Sequence, residues 1–291
     1  MKLCLACNKP FDSADWVCPA CGHAPQLRDG FPAFAPDLAA QNDGFNPDLF
    51  ARYAAVEAGH FWFVGRNEIL QDVLQRYFPQ ASNVLEIGCG TGFVLSGVRN
   101  LYPSAKLSGS DIFTEGLAFA GKRVPSAFLF QMDACHIPFQ AEFDVIGAYD
   151  VLEHIDDDEM ALAQIYRACK PGGGVVLTVP QHRWLWSKTD DYAHHKRRYT
   201  RNEFVAKAER AGFEVVRVTS FVSLLLPLML ASRLMQRSGT EAEDQMDAGF
   251  KISRLTNAVL SGVMRIERGL LSLGLSFPAG GSLLLIARKP A

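Results

Sequence analysis

Short apolar runs bounded by turn-forming residues recur through most of the chain, beginning with Asn83-Val-Leu-Glu-Ile and ending with Ser282-Leu-Leu-Leu-Ile. Their length and β-branched content predict strands at 83–88, 106–111, 127–132, 143–149, 174–179, 213–219 and 282–288. Stretches of helical periodicity separate them, and strand alternating with helix is the signature of a mainly parallel, doubly wound α/β sheet of seven strands. A helical stretch from Leu49 to about Tyr77 precedes the first of these strands and contains His60-Phe-Trp-Phe-Val-Gly-Arg66. Three adjacent aromatics wrap around a helix instead of lining one face, so some of them must meet something other than the sheet.

Two segments break this rhythm. Residues 37–48 are rich in turn formers and read as a linker. Between the last two strands, 221–276 forms an insertion that the alternating fold does not need. Its run from Phe221 to Leu230 is almost wholly apolar but too short to span a bilayer. Leu255, Val259, Val263, Ile266, Leu270 and Leu273 then recur at helical spacing, with Lys251, Arg254, Arg265 and Arg268 toward the polar side and an acidic link at Glu241-Ala-Glu-Asp244. The pattern fits a helical pair packed on its own domain or on a second subunit. It also fits a membrane-interfacial hairpin that reaches a lipid-linked acceptor.

Composition narrows the class. With 291 residues, 48% hydrophobic and 21% charged, the chain is globular. A net charge of −2 gives no bulk attraction to nucleic acid. Cysteines, Lys9, Asp12 and Asp15 interrupt the apolar run that a secretory signal would need, so the expected setting is cytoplasmic with reduced thiols.

The cysteines form two groups. Cys4-x-x-Cys7 and Cys18-x-x-Cys21 are two knuckles ten residues apart, a spacing that can supply four thiolates to a structural zinc. Two disulfides or idle thiols are the alternatives. Cys89, Cys135 and Cys169 stand apart as small core fillers. Residues 1–36 resemble the zinc-ribbon modules attached to some RNA- and translation-factor-modifying methyltransferases, and so short a segment needs a metal staple to fold.

The glycines of Glu86-Ile-Gly88-Cys-Gly90-Thr-Gly92 follow the first strand of the sheet, where bare backbone N–H groups can meet a nucleotide-like ligand. The next strand ends at Asp111, where an adenosine ribose would present its hydroxyls. On these residues the chain resembles the class I S-adenosylmethionine (SAM)-dependent methyltransferases, over roughly 49–220 and 277–289. The resemblance implies a reversed last strand and a Rossmann-like sheet. It further implies that Glu86, Gly88 and Gly90 meet the methionine portion of SAM and that Asp111 binds the ribose, with Ile112 against the adenine. Asp133 and Ala134 would contact the adenine edge, Asp150 the methionine amine or sulfonium, and Trp62 and Arg66 the methionine end from above. Trp62 and Arg66 could equally be helix-packing residues, and Asp133 and Asp150 turn carboxylates.

Two further stretches bear on the acceptor. Asp150-Val-Leu-Glu-His-Ile155 resembles small-molecule methyltransferases, including quinone-biosynthesis enzymes, and Pro171-Gly-Gly-Gly174 is their usual turn. The polar, aromatic segment 181–200 ends in His195-Lys-Arg-Arg-Tyr-Thr200, which resembles bacterial methyltransferases of glycan and lipid-carrier synthesis. It reads as an acceptor lid, with Thr200-Arg-Asn-Glu203 as a capping box. Methyl transfer to a neutral oxygen or nitrogen needs a base, for which His154 and His195 are candidates and Asp191, His182 and His194 weaker ones. The expected function is methyl transfer to a small or lipid-/glycan-linked acceptor. The alternatives are RNA or protein methylation guided by the ribbon, and a SAM-binding scaffold without catalysis.

Overall fold

A computed structural model describes residues 1–41, 49–235 and 252–291. The N-terminal segment folds as two small hairpins, β1 (Lys2–Leu3) with β2 (Pro10–Phe11) and β3 (Gln26–Arg28) with β4 (Phe31–Ala33), followed by a short helix α1 (Pro36–Gln41). Thus the front of the expected linker is helical, and its remainder, 42–48, lies outside the described residues. The stretch expected as one helix is two, α2 (Leu49–Val56) and α3 (Phe61–Tyr77). A turn at Gly59 separates them, and His60 caps α3 by accepting from the Trp62 N–H through its ring, at 3.3 Å.

The alternating region then runs β5 (Asn83–Ile87), α4 (Phe93–Leu101), β6 (Lys106–Asp111), α5 (Thr114–Arg123), β7 (Phe128–Gln131), β8 (Phe143–Tyr149), α6 (Asp158–Ala168) and β9 (Cys169–Pro180). After it come α7 (Lys188–Tyr192), α8 (Arg201–Arg210), β10 (Glu214–Phe221), α9 (Leu226–Met235), α10 (Arg254–Ser272) and β11 (Ser282–Arg288). The strand order is β10-β11-β9-β8-β5-β6-β7-β4-β3, with β11 antiparallel to both its neighbours. All seven expected strands are therefore present in the sheet, but the sheet itself has nine. The N-terminal hairpin adds the last two: Ala33 pairs in parallel with Gln131, whose side-chain amide exchanges two hydrogen bonds with the Ala35 backbone, at 2.9 and 2.7 Å.

This addition covers the free edge of β7, which would otherwise expose unpaired backbone groups. Trp16 fastens it, stacking on Phe128 and meeting Phe34 and Phe139 edge-on at 4.7 and 5.3 Å between centroids. The ribbon-like segment is thus continuous with the main core instead of tethered to it.

Two apolar clusters fill the faces of the sheet. One gathers α3, α4 and α10 around Leu70, Leu95 and Met264; the other gathers α6 and α8 around Leu162, Ile165 and Phe204. Within the insertion, α10 lies along α3, where a Cβ on Gly65 would stand 3.0 Å from Met264, so the glycine permits the close approach. Arg268 clamps Asp72 with two bonds at 2.6 and 2.8 Å, and the buried carboxylate of Glu267 accepts from the Ser223 and Leu224 N–H groups. The acidic link expected at Glu241–Asp244 lies outside the described residues.

Candidate functional site

At the carboxyl ends of the parallel strands the glycine turn is tightly built. Gly88, Gly90 and Gly92 all have positive φ, at 66°, 49° and 73°. A side chain on Gly88 would meet Val151 at 2.4 Å, so the turn excludes any other residue there. Beside it the Glu86 carboxyl is buried and leaves Oε2 without a partner, and burial pushes its pKa up to about 8. An unpaired buried oxygen at this place favours a ligand that carries a donor or a positive charge. Asp111 accepts from the N–H groups of Gly90 and Phe113, at 2.9 and 3.0 Å. Burial raises its pKa to about 6, and those two N–H groups oppose the rise. The carboxylate still has lone pairs available for hydroxyls.

The crevice over this turn has a volume of about 1310 Å³ among the described residues. Trp62, Arg66, Glu86, Gly88, Gly90, Asp111, Ile112, Asp133, Ala134, Asp150, His154 and His195 all line it. A single ligand site commonly occupies roughly 300–1,000 Å³, so a second reactant has room beside a cofactor. Asp133 is held by the Cys135 N–H at 2.8 Å and by the His136 ring at 2.7 Å. Arg66 pairs with Asp150 and lies over the Trp62 ring, 4.3 Å from its centroid, which joins the leading helix to the end of β8.

A buried network absent from the sequence expectations closes the other end. Glu57, after α2, accepts from Thr91 Oγ1 at 2.8 Å and from Arg123 Nη1 at 2.5 Å, and Arg123 also donates to the Thr91 carbonyl at 2.9 Å. The cap over the crevice is thereby bonded to the glycine turn and to α5. No local pattern marks Glu57 as the partner of residues 34 and 66 positions away.

The acceptor side is organised by Asp190. Its Oδ1 accepts from His195 Nδ1 at 2.9 Å and from Arg198 Nε at 2.7 Å, and its Oδ2 accepts from the Ser187 N–H at 2.8 Å. Those donors hold its carboxyl far below the usual carboxylate range against an opposing push from burial. Asp191, the neighbour singled out in the sequence, instead accepts from Trp186 Nε1 at 2.8 Å, and it does not line the crevice. Helix periodicity explains the difference: Asp190 is the third residue of α7 and closes a capping box with Ser187. The box expected at Thr200 is half formed, because Thr200 accepts from the Glu203 N–H while the Glu203 side chain bonds Arg183.

Segment 181–200, read from its polar and aromatic content as an acceptor lid, contributes core residues. Tyr199 is fully buried and donates to Asp158 Oδ2 at 2.6 Å, and Arg198 donates to the Gln181 carbonyl at 3.0 Å. Arg197 pairs with Asp158 at 2.9 Å. Arg197 and Tyr199 therefore fix the segment to Asp158 of α6, Arg198 ties the segment to itself, and Trp184 is one of its exposed residues.

Beneath this segment the His154 and His195 rings meet edge-on, 4.8 Å between centroids. Burial and the neighbouring His195 lower the His154 pKa to about 3, so this imidazole is neutral at working pH. Glu153, unremarked in the sequence except within the Asp150 motif, is fully buried beside them, and burial raises its pKa well above the ordinary value. From α9, Arg233 brings a buried Nη1 without a hydrogen-bond partner to within 4.0 Å of Asp190.

Remote from the crevice, the Sγ atoms of Cys4 and Cys21 stand 3.6 Å apart and those of Cys7 and Cys18 3.7 Å, and all four atoms lie within 4.8 Å of one another. Zinc–sulfur bonds of about 2.3 Å in a tetrahedron place sulfurs roughly 3.8 Å apart, so the donor set fits zinc. The four cysteines are free thiols, unlike the disulfide alternative.

A methyltransferase domain family model matches residues 52–218. The chain is similar to trans-aconitate 2-methyltransferase of Variovorax paradoxus, 30% identical over 141 residues that make up 48% of this chain and 51% of that protein. It is also similar to the ubiquinone/menaquinone biosynthesis C-methyltransferase UbiE of Desulfotalea psychrophila, 34% identical over 101 residues, or 34% of this chain and 41% of that one. The chain spans about half the length of the curated relatives it matches. Its fold resembles a chain of the Haloferax volcanii complex of the Trm112 methyltransferase activator with its methyltransferase, at TM-score 0.57 and 18% identity, covering 84% of this chain and 95% of that one. It also resembles phosphoethanolamine N-methyltransferase 2 of Haemonchus contortus bound to SAM, at TM-score 0.51 and 21% identity, covering 76% and 53%. A match over more than half of the sequence, on a parallel sheet with a glycine turn, buried carboxylates and a reversed last strand, means that the chain belongs to the methyltransferase-domain family, with the class I SAM-dependent architecture.

Proposed function

We propose that this protein is a SAM-dependent methyltransferase acting on an oxygen or nitrogen atom of a small or lipid-/glycan-linked acceptor. The observation that carries the reading is the division of one crevice into two halves. The glycine turn with Glu86 and Asp111 forms the first, and polar atoms without partners on Glu153, His154 and Arg233 line the second. Bound SAM would supply a methyl group on a positively charged sulfur. Glu86 and Asp111 would hold the amino acid and ribose portions, with Ile112, Asp133 and Ala134 at the adenine and Arg66 orienting Asp150. Trp62 and the α2–α3 cap would exclude water. The 181–200 segment, pinned by Asp190, Arg198 and Tyr199, would align the acceptor, and alignment of two reactants accounts for much of the rate in such displacements. A neutral acceptor would lose its proton at the Glu153, His154 and His195 cluster.

The half-buried guanidinium of Arg233, near Arg198, favours an acceptor with an anionic group, since a guanidinium nitrogen without a partner is matched best by a carboxylate or phosphate. The exposed face of α10 supports delivery from a lipid surface. Leu255, Val259, Ile266 and Leu273 are 76%, 59%, 61% and 81% exposed on one stripe, flanked by Arg254 and Arg265. No helix among the described residues is long and apolar enough to cross a membrane. The ribbon, with zinc on its four cysteines, acts in this reading as a structural cover for the sheet edge. None of residues 1–36 lines the crevice, which counts against a ribbon that presents RNA or protein to the methyl group.

The test is transfer of label from isotopically labelled SAM to lipid, small-molecule and RNA extracts, with calorimetry of SAM binding alongside. Label in a lipid or anionic small molecule is the expected result. Label confined to RNA, or to protein in a parallel protein extract, would favour the ribbon-guided reading, and SAM binding without transfer to any pool would favour a scaffold.

A further inference from the structure

We propose that Glu153, His154 and His195 form a binding site for a divalent transition-metal ion on the acceptor side of the crevice. This inference rests on the methyltransferase reading only for the use of the ion, not for its binding. The three side chains bring ligand atoms within 4.8 Å of one another, and His195 Nε2 lies 4.0 Å from Glu153 Oε1.

Glu153 is fully buried, and neither carboxylate oxygen has a hydrogen-bond partner. A buried carboxylate left in that condition is costly and calls for a missing cation or proton. The ring of His195 donates from Nδ1 to Asp190, which leaves the Nε2 lone pair on the side of Glu153. His154 Nδ1 is buried without a hydrogen-bond partner. Asp190 thus orients the His195 ring from outside, as outer-sphere carboxylates orient metal-binding histidines, while His154 keeps an unengaged buried nitrogen.

Two imidazoles and one carboxylate suit manganese, iron, cobalt or zinc better than calcium or magnesium, and such a set leaves coordination positions open. Metal–nitrogen and metal–oxygen bonds of about 2.0–2.2 Å require ligand atoms roughly 3–3.6 Å apart, so the side chains would close by about 1 Å around an ion. All three residues line the crevice, so the open positions face the space left for the acceptor. There the ion would hold an acceptor oxygen and lower its pKa, relieving the enzyme of a free imidazole base.

The experiment uses the full chain with zinc retained on its cysteines, cleared of loosely held metal by gel filtration and titrated with manganese(II) while free ion is followed by electron paramagnetic resonance. Manganese prefers nitrogen and oxygen donors to thiolates, so the cysteine cluster is silent to this probe. One manganese should bind per chain, with affinity reduced at least tenfold in Glu153→Gln and His195→Ala. Manganese should also raise the melting temperature of the parent protein but not that of Glu153→Gln, whose own fold is checked by its SAM affinity. Parent protein that leaves manganese free at millimolar concentration, or equal binding by Glu153→Gln, overturns the site. Loss of SAM binding in the parent overturns the methyltransferase reading alone, because the manganese titration does not depend on it.

Discussion

Asp190 offers the sharpest test of how the acceptor side is held together. Its carboxylate is 1% exposed and is the common acceptor for Ser187, His195 and Arg198. Replacement by asparagine keeps the volume but removes the charge that offsets the Arg198 guanidinium, itself 6% exposed. Breaking a buried ion pair by removing one partner costs about 3–5 kcal/mol. For a chain of this length, with unfolding entropy near 2 cal/mol/K per residue, that corresponds to a fall of about 5–8 °C in melting temperature at neutral pH. The sign of the pH dependence follows from the depressed carboxyl: its stabilisation is fully present above the unfolded pKa near 3.9 and fades as pH falls toward the folded value. Parallel melts of parent and Asp190→Asn at intervals from pH 7 to pH 3 should therefore keep their separation down to about pH 4 and begin to narrow only below it. SAM affinity, read by calorimetry, should stay within about threefold, because Asp190 lies outside the glycine-turn half. A variant that melts within a degree of the parent at pH 7, or whose deficit already shrinks between pH 7 and pH 5, would refute the reasoning.

Three further outcomes are expected. Asp111→Ala removes the acceptor for the Gly90 and Phe113 N–H groups along with the expected ribose anchor, and should weaken SAM binding by about 2–3 kcal/mol in calorimetry; unchanged affinity would remove Asp111 from the site. Protein purified without chelator should contain one zinc per chain by elemental analysis, lost in Cys18→Ser/Cys21→Ser together with hydrogen-exchange protection of Leu3 and Phe11. Full-length protein should cosediment with anionic vesicles more than with neutral ones, and Ile266→Glu/Leu273→Glu, at an exposed position of α10 and at its C-cap, should abolish the difference without lowering the melting temperature.

Local chemistry was enough to find the strands, because each buried parallel strand carries its own apolar run and turn signals. It was likewise enough to single out the glycine turn with Glu86 and Asp111, where backbone geometry admits only certain residues. The paired cysteines were legible for the same reason, since metal-like spacing is itself local. What only the tertiary structure decided involves partners far apart in sequence. Examples are Gln131 bonding Ala35 to make a nine-stranded sheet, Glu57 bridging Thr91 and Arg123, and Arg66 reaching Asp150. The choice of Asp190 over Asp191, and the emergence of Glu153 beside two histidines, depended on which side of a short helical turn each residue faced once Tyr199 and Arg198 were buried. Sequence spacing sets what a residue can do to its near neighbours. Burial, and the long-range pairing that burial enforces, sets which charges lose their water and must find one another.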